Sequence, residues 1–168
     1  PEGQADAVAA DEVKLIAQFR GGPALSVGDS YMGLQYLLEG NAYETPKTIT
    51  GQALAGGRPV KRTQGGPATL VLTPAQVRSV SSPLQELSVE GVLRRYDPMA
   101  MDQHGVEPLG WQDRESEGAN RLGTAFTRLQ AFYRTAAERG HSVLIVLTLG
   151  RSPFEERSEE PAVRPNKL

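Results

Sequence analysis

Asn120-Arg-Leu-Gly-Thr-Ala-Phe-Thr-Arg-Leu-Gln-Ala-Phe-Tyr-Arg-Thr-Ala-Ala-Glu-Arg-Gly-His-Ser-Val-Leu-Ile-Val-Leu-Thr-Leu149 decides how this chain folds. Leu122, Phe126, Leu129, Tyr133 and Ala136 recur at the spacing of one helix face, and Ala125, Phe132 and Ala137 widen it. Burying the large side chains of that stripe is worth on the order of 6–12 kcal/mol before conformational entropy is subtracted. Gly140 stands where a helix C′ glycine belongs, and Arg134 and Arg139 suit the negative end of the helix dipole. Beyond it, Val143-Leu-Ile-Val-Leu147 is apolar without alternation. Such a run predicts a strand covered on both faces, and hence the central strand of a small sheet near 142–149.

Working outward, Ala5–Arg20 reads as a helix ended by Gly21-Gly22-Pro23. Asp29 or Ser30 can cap a second helix over Tyr31–Glu39, with Tyr31, Leu34, Leu37 and Leu38 on one stripe and Gly40 at its end. Residues 41–68 are rich in Gly and poor in large apolar side chains, so they read as a long loop, of a kind that is often functional or mobile, with one helical turn near Thr50–Leu54. Thr69–Leu72 is a short β-rich run. Thr73, Pro74 and Gln76 then form a capping box with Pro at N1, starting a helix expected to reach Ser81 and to break at Ser82-Pro83. Ser88 can cap a further helix through Arg95, and Asp97-Pro98 starts another that ends at His104-Gly105. Val106–Trp111 is irregular. The order of elements predicts α+β: one domain over 1–150, several helices around a small β-sheet, and a polar tail over 151–168.

Composition excludes several chemistries. The chain has 168 residues, enough for one domain that buries about 70% of its unfolded surface without staples. It has no cysteine, which removes disulfides, thiol nucleophiles and Cys-based zinc. A formal net charge of −2, with Arg58, Lys61 and Arg62 as the basic cluster, argues against nucleic acid. No apolar run has the length of a membrane span, and no signal-peptide pattern shows at the start, so a cytoplasmic protein is expected.

The two histidines, His104 and His141, each flank a helix-ending glycine, a place the dipole favours, and no His/Asp cluster predicts a metal. Gly51-Gln-Ala-Leu-Ala-Gly-Gly57 lacks the Lys-Ser/Thr of a phosphate loop, and no Gly-x-Ser-x-Gly elbow is present. No cofactor is therefore predicted. Asp113, Glu115 and Glu117 read first as a charge bias that complements a helix N-terminus, and alternatively as a docking patch for a basic partner. Trp111 reads first as an amphipathic core ring and alternatively as an interface anchor. Asp97 is most simply an N-cap.

The order of motifs carries a resemblance. Leu25-Ser-Val-Gly-Asp-Ser-Tyr-Met-Gly-Leu-Gln-Tyr-Leu-Leu-Glu-Gly40 is followed by Ala53-Leu-Ala-Gly-Gly57 and by Gly66-Pro-Ala-Thr-Leu-Val-Leu-Thr-Pro-Ala-Gln-Val77. Arg95-Tyr-Asp-Pro-Met-Ala-Met101 with Trp111, and Leu129-Gln-Ala-Phe-Tyr-Arg134 leading into Val143-Leu-Ile-Val146, complete the set. In this order the chain resembles the YfbM-like family of small bacterial proteins, which has no established activity. The resemblance implies an α+β fold and transfers no catalytic residue. Tyr31 stands where that family usually has Trp, and Gln35 where it has His; Gln cannot act as a general base.

Two functions follow as expectations. The first is a non-enzymatic protein-binding domain, in its sharpest form an immunity-type protein that neutralises a bacterial toxin domain. Tyr31, Gln35, Tyr36, Asp97, Trp111, Asp113, Glu115 and Glu117 are the candidate binding residues. The alternative is a small hydrolase or transferase with a site near Tyr31, Gln35 and Asp97. It requires those side chains to converge on a pocket, with Asp97 free of its capping role.

Overall fold

The computed structural model describes Phe19, residues 22–60 and residues 68–147. The expected helix over Ala5–Arg20 (Phe19 apart), Lys61 and Arg62 of the basic cluster, and the tail over 151–168 lie outside those residues. Within them run six helices: α1 (Tyr31–Glu39), α2 (Gln52–Ala55), α3 (Pro74–Glu86), α4 (Val89–Leu93), α5 (Pro98–Gln103) and α6 (Glu115–Glu138). Three strands, β1 (Arg58–Pro59), β2 (Ala68–Leu72) and β3 (Val143–Leu147), make one antiparallel sheet in the order β1-β2-β3. The fold is α+β, as expected.

Helix α6 is the axis. Leu122, Phe126, Leu129, Tyr133 and Ala136 are all buried, and α1, α3 and α4 pack against this helix. It starts at Glu115 rather than Asn120. The two acids of its first turn, Glu115 and Glu117, suit the positive end of its dipole. Gly118 sits within it because the space of a side chain is already filled by the Tyr96 hydroxyl and the Trp111 ring. Gly33 of α1 plays the same part: a Cβ there would lie 2.7 Å from Leu122 Cδ2 and 3.0 Å from the Trp111 ring. These two glycines let α1, Trp111 and α6 approach closely.

The capping box of α3 forms as expected: the Thr73 side chain accepts from Gln76 N, and Gln76 reaches back to Thr73 N. The expected break at Ser82-Pro83 does not occur, and α3 continues through Pro83 to Glu86. Only one turn follows the proline, and the end of that turn is held from outside. Gln130 of α6 donates through Nε2 to the carbonyls of Leu84 (2.6 Å) and Leu87 (2.8 Å), and Gln85 donates to the Gln130 carbonyl at 3.0 Å. Tertiary hydrogen bonds thus override a local breaker.

The sheet differs from expectation in its order. β2 holds the middle position, and β3 is an edge strand among the described residues. Val143 is buried, while Leu144–Leu147 are half-buried. An unbroken apolar run reports hydrophobic surroundings but does not count the strand's neighbours. Pro59 fits β1 because an edge strand leaves room for a residue without an N–H.

Candidate functional site

Two of the helices end in the same way. Glu39 is the last residue of α1 and Asp102 lies in the last turn of α5, each a carboxylate at the end where the helix dipole disfavours one. Each is followed by a glycine in the left-handed region, Gly40 at φ +80° and Gly105 at φ +66°, which turns the chain back beneath the carboxylate. Each carboxylate then accepts backbone N–H groups eight to ten residues downstream.

The Glu39 carboxylate accepts from Lys47 N and Thr48 N, each at 3.0 Å, and from the Thr48 hydroxyl. Gly51 lacks a side chain where the Glu39 carboxylate packs against it, and its N–H donates to Thr48 Oγ1 at 3.0 Å. The glycines of 51–57 therefore serve close approach and turning rather than a phosphate cradle. Burial pushes the Glu39 carboxyl up, and the Thr48 hydroxyl with the Lys47 and Thr48 N–H groups outweighs it, leaving the group below its ordinary value. The exposed Lys47–Glu44 ion pair adds little.

The Asp102 carboxylate accepts from Gly110 N (2.8 Å), Trp111 N (3.0 Å) and Gln112 N (3.0 Å). The Gln112 N–H, then that of Trp111, holds the carboxyl below its ordinary value. The 105–112 loop is thus wrapped around one side chain. Tyr43 joins the two loops, its hydroxyl donating to the Gly105 carbonyl. Beside it, the Tyr36 hydroxyl and His104 Nδ1 are 3.1 Å apart in a hydrogen bond, with ring centroids at 5.7 Å.

These supports leave large apolar side chains in solvent. Tyr43 is 66% and Leu109 61% exposed, with Ile49 on the first loop and Met99 on α5 also exposed. Single exposed apolar residues are ordinary. Here Tyr43 and Leu109 stand on backbone segments that are individually tied down and joined to each other.

The residues singled out in the sequence divide. Tyr36 lies at the junction of the loops. Gln35 is buried, and its Nε2 donates to the Glu44 carbonyl at 2.8 Å, so it anchors the 41–51 loop from below. Tyr31 is half-buried and packs against the core, where burial pushes its phenol up. Asp97 caps α5, accepting from Ala100 N at 3.0 Å. The convergence that the hydrolase or transferase reading required is therefore not formed. Ser30 precedes α1 but makes no side-chain cap. Asp113 lies in the 3-10 turn Gln112–Arg114, and with Glu115 and Glu117 it is exposed at the start of α6.

Trp111 is only 2% exposed, so its contacts are internal rather than interfacial. Its Nε1 donates to the Val106 carbonyl at 2.7 Å, Tyr96 meets it edge-on at 6.1 Å, and the Arg121 guanidinium lies 5.1 Å above its ring. The residues missed in the sequence are Glu39, Asp102, Tyr43 and Leu109. A signal existed for the first two: an acid in the last turn of a short helix, just before a glycine, opposes the dipole and needs another reason to be there. Among the described residues, no group of three or more His, Asp or Glu side chains is arranged to hold a metal, and no helix is long and apolar enough to cross a membrane.

Fold and surface together define a small α+β domain of helices around a three-stranded antiparallel sheet, carrying two tethered loops. The chain belongs to the family described as Domain of unknown function (DUF1877), which matches residues 3–146. In structure it is similar to YfbM from Escherichia coli, described as a protein of unknown function, with a TM-score of 0.60 over 71% of this chain and 77% of that one. At 14% identity that is a likeness of fold alone. The resemblance carried by the sequence motifs is thereby established. No match is found among curated proteins.

Proposed function

We propose that this is a protein-binding domain whose contact surface is the double loop around Tyr43 and Leu109. The observation that carries the reading is the pair of helix-terminal carboxylates, Glu39 and Asp102, which order both loops before any partner arrives. A surface held in advance loses less conformational entropy on binding, and an exposed tyrosine on a rigid loop is a favoured interface anchor. Glu107, Asp113, Glu115 and Glu117 give the neighbouring sequence an acidic bias, which suits a partner with a basic complementary face. The sharpest form of the proposal is an immunity-type protein that neutralises a toxin domain by direct binding in the cytoplasm.

The test is co-expression of the full chain with the product of the adjacent gene. A stable complex and rescue of growth are expected, with both reduced at least tenfold by Tyr43→Asp or Leu109→Asp, the loss of an anchor being worth about 2 kcal/mol. Failure to form a complex, or a complex indifferent to both substitutions, refutes the assignment.

A further inference from the structure

An open cleft of about 660 Å³ lies between the turn at 26–30 and one face of α6. Ser26, Ser30, Asn120, Arg121, Thr124 and Arg128 line it. Arg121, Thr124 and Arg128 stand at i, i+3 and i+7, so one helix face carries two guanidiniums with a hydroxyl between them. Among the described residues neither arginine makes an ion pair. The Lys47–Glu44 contact is the one ion pair among the described residues. Glu117, also at the cleft, stands one turn before Arg121 at the helical spacing that commonly pairs, yet makes no ion pair with it.

Arg121 is the informative group. Its side chain is laid over the Trp111 ring at 5.1 Å, which fixes its direction, and its Nε is buried without a hydrogen-bond partner. That Nε is sealed from solvent as well as unpaired, so a molecule in the cleft meets Arg121 through the rest of its guanidinium, which the ring contact holds in place. Ser30 is buried at the same cleft, and its side chain does not cap α1.

We propose that this cleft binds the phosphoryl group of a small phosphomonoester. Two guanidiniums with hydroxyl and amide donors along the same wall suit the charge and hydrogen-bonding demand of a phosphoryl dianion better than that of an ammonium or an apolar group. The volume exceeds that of phosphate itself and is in the range of small-molecule sites, leaving room for the esterified portion. The inference rests on residues other than those of the protein-binding surface, apart from Glu117, which borders both.

The experiment titrates the full chain with inorganic phosphate and, separately, with O-phosphoserine at constant ionic strength, read by calorimetry and by the arginine Nε–H resonances. Saturable binding of at least one probe is expected, weakened about tenfold by Arg128→Gln and by Arg121→Lys, which keeps the charge but loses the fork. Arg128 is exposed, so its substitution leaves the fold in place. Tighter binding of O-phosphoserine identifies a monoester, whereas equal affinity narrows the ligand to inorganic phosphate and overturns the esterified part of the proposal. Absence of saturation by both probes, or unchanged affinity in Arg128→Gln, overturns it entirely.

Discussion

Replacing Trp111 by Phe separates a core ring from an interface ring. The indole is 2% exposed, and it supplies the donor for the Val106 carbonyl at 2.7 Å. Phe retains one aromatic ring but leaves that carbonyl without this donor, a loss of about 1–3 kcal/mol when the group stays dry. The missing second ring removes about 1 kcal/mol of apolar burial and leaves a void beside Gly33 and Gly118, whose lack of side chains made room for it. The sum is about 3 kcal/mol, a fall in melting temperature of roughly 6–12 °C for a domain of this size. Urea unfolding followed by far-ultraviolet circular dichroism measures it, because the substitution removes the only Trp fluorophore. Leu109→Ala is the control: at 61% exposed it should change stability by no more than about 0.5 kcal/mol. A loss below about 1 kcal/mol for Trp111→Phe, with an unchanged denaturant slope, would refute the core assignment.

Other perturbations probe other joints. Gln130→Ala removes both donors that hold the last turn of α3 beyond Pro83, and should destabilise by about 1–3 kcal/mol in chemical unfolding; a neutral result would mean the helix end needs no external cap. Tyr133→Phe keeps the ring but deletes the bond from its buried hydroxyl to the Ala53 carbonyl at 2.8 Å, and is expected to lower stability by about 1–2 kcal/mol. Acid should loosen the tethered loops. Glu39 and Asp102 are both held below their ordinary values of 4.5 and 3.8, so the stability they contribute is complete above those values and lost as pH falls through the lower folded ones. Thermal melts from pH 6 down to about pH 2 should therefore lose less in Asp102→Asn than in the unmodified chain, and equal losses would sink the assignment.

What was legible in the sequence follows from the range of the forces involved. The buried stripe from Leu122 to Ala136, the α3 capping box, the Ser88 and Asp97 caps and the glycine ends of α1 and α6 depend on neighbours within a turn or two, and all were readable. The persistence of α3 through Pro83 was not, because Gln130 acts from 43 to 46 residues away. The central place of β2 was hidden because the apolar run of β3 is compatible with either position in a sheet. Trp111 was ambiguous for a related reason: a tryptophan among Pro and Gly suits a core edge or an interface equally until Gly33 and Gly118 are seen to leave it a slot. The loop tethers lay between these extremes, marked locally by misplaced acids but recognisable as tethers only once their acceptor geometry was in view.

The central claim is that both loops are ordered in the free protein by one carboxylate each. Amide hydrogen exchange at neutral pH, read residue by residue on the isolated chain, tests it most directly. The N–H groups of Lys47, Thr48, Gly110, Trp111 and Gln112 should exchange at least about tenfold more slowly than in an unstructured peptide. Asp102→Ala should release the last three while leaving Lys47 and Thr48 protected. Exchange of all five at the unstructured rate in the unmodified chain, or protection of the last three that survives Asp102→Ala, would contradict the claim.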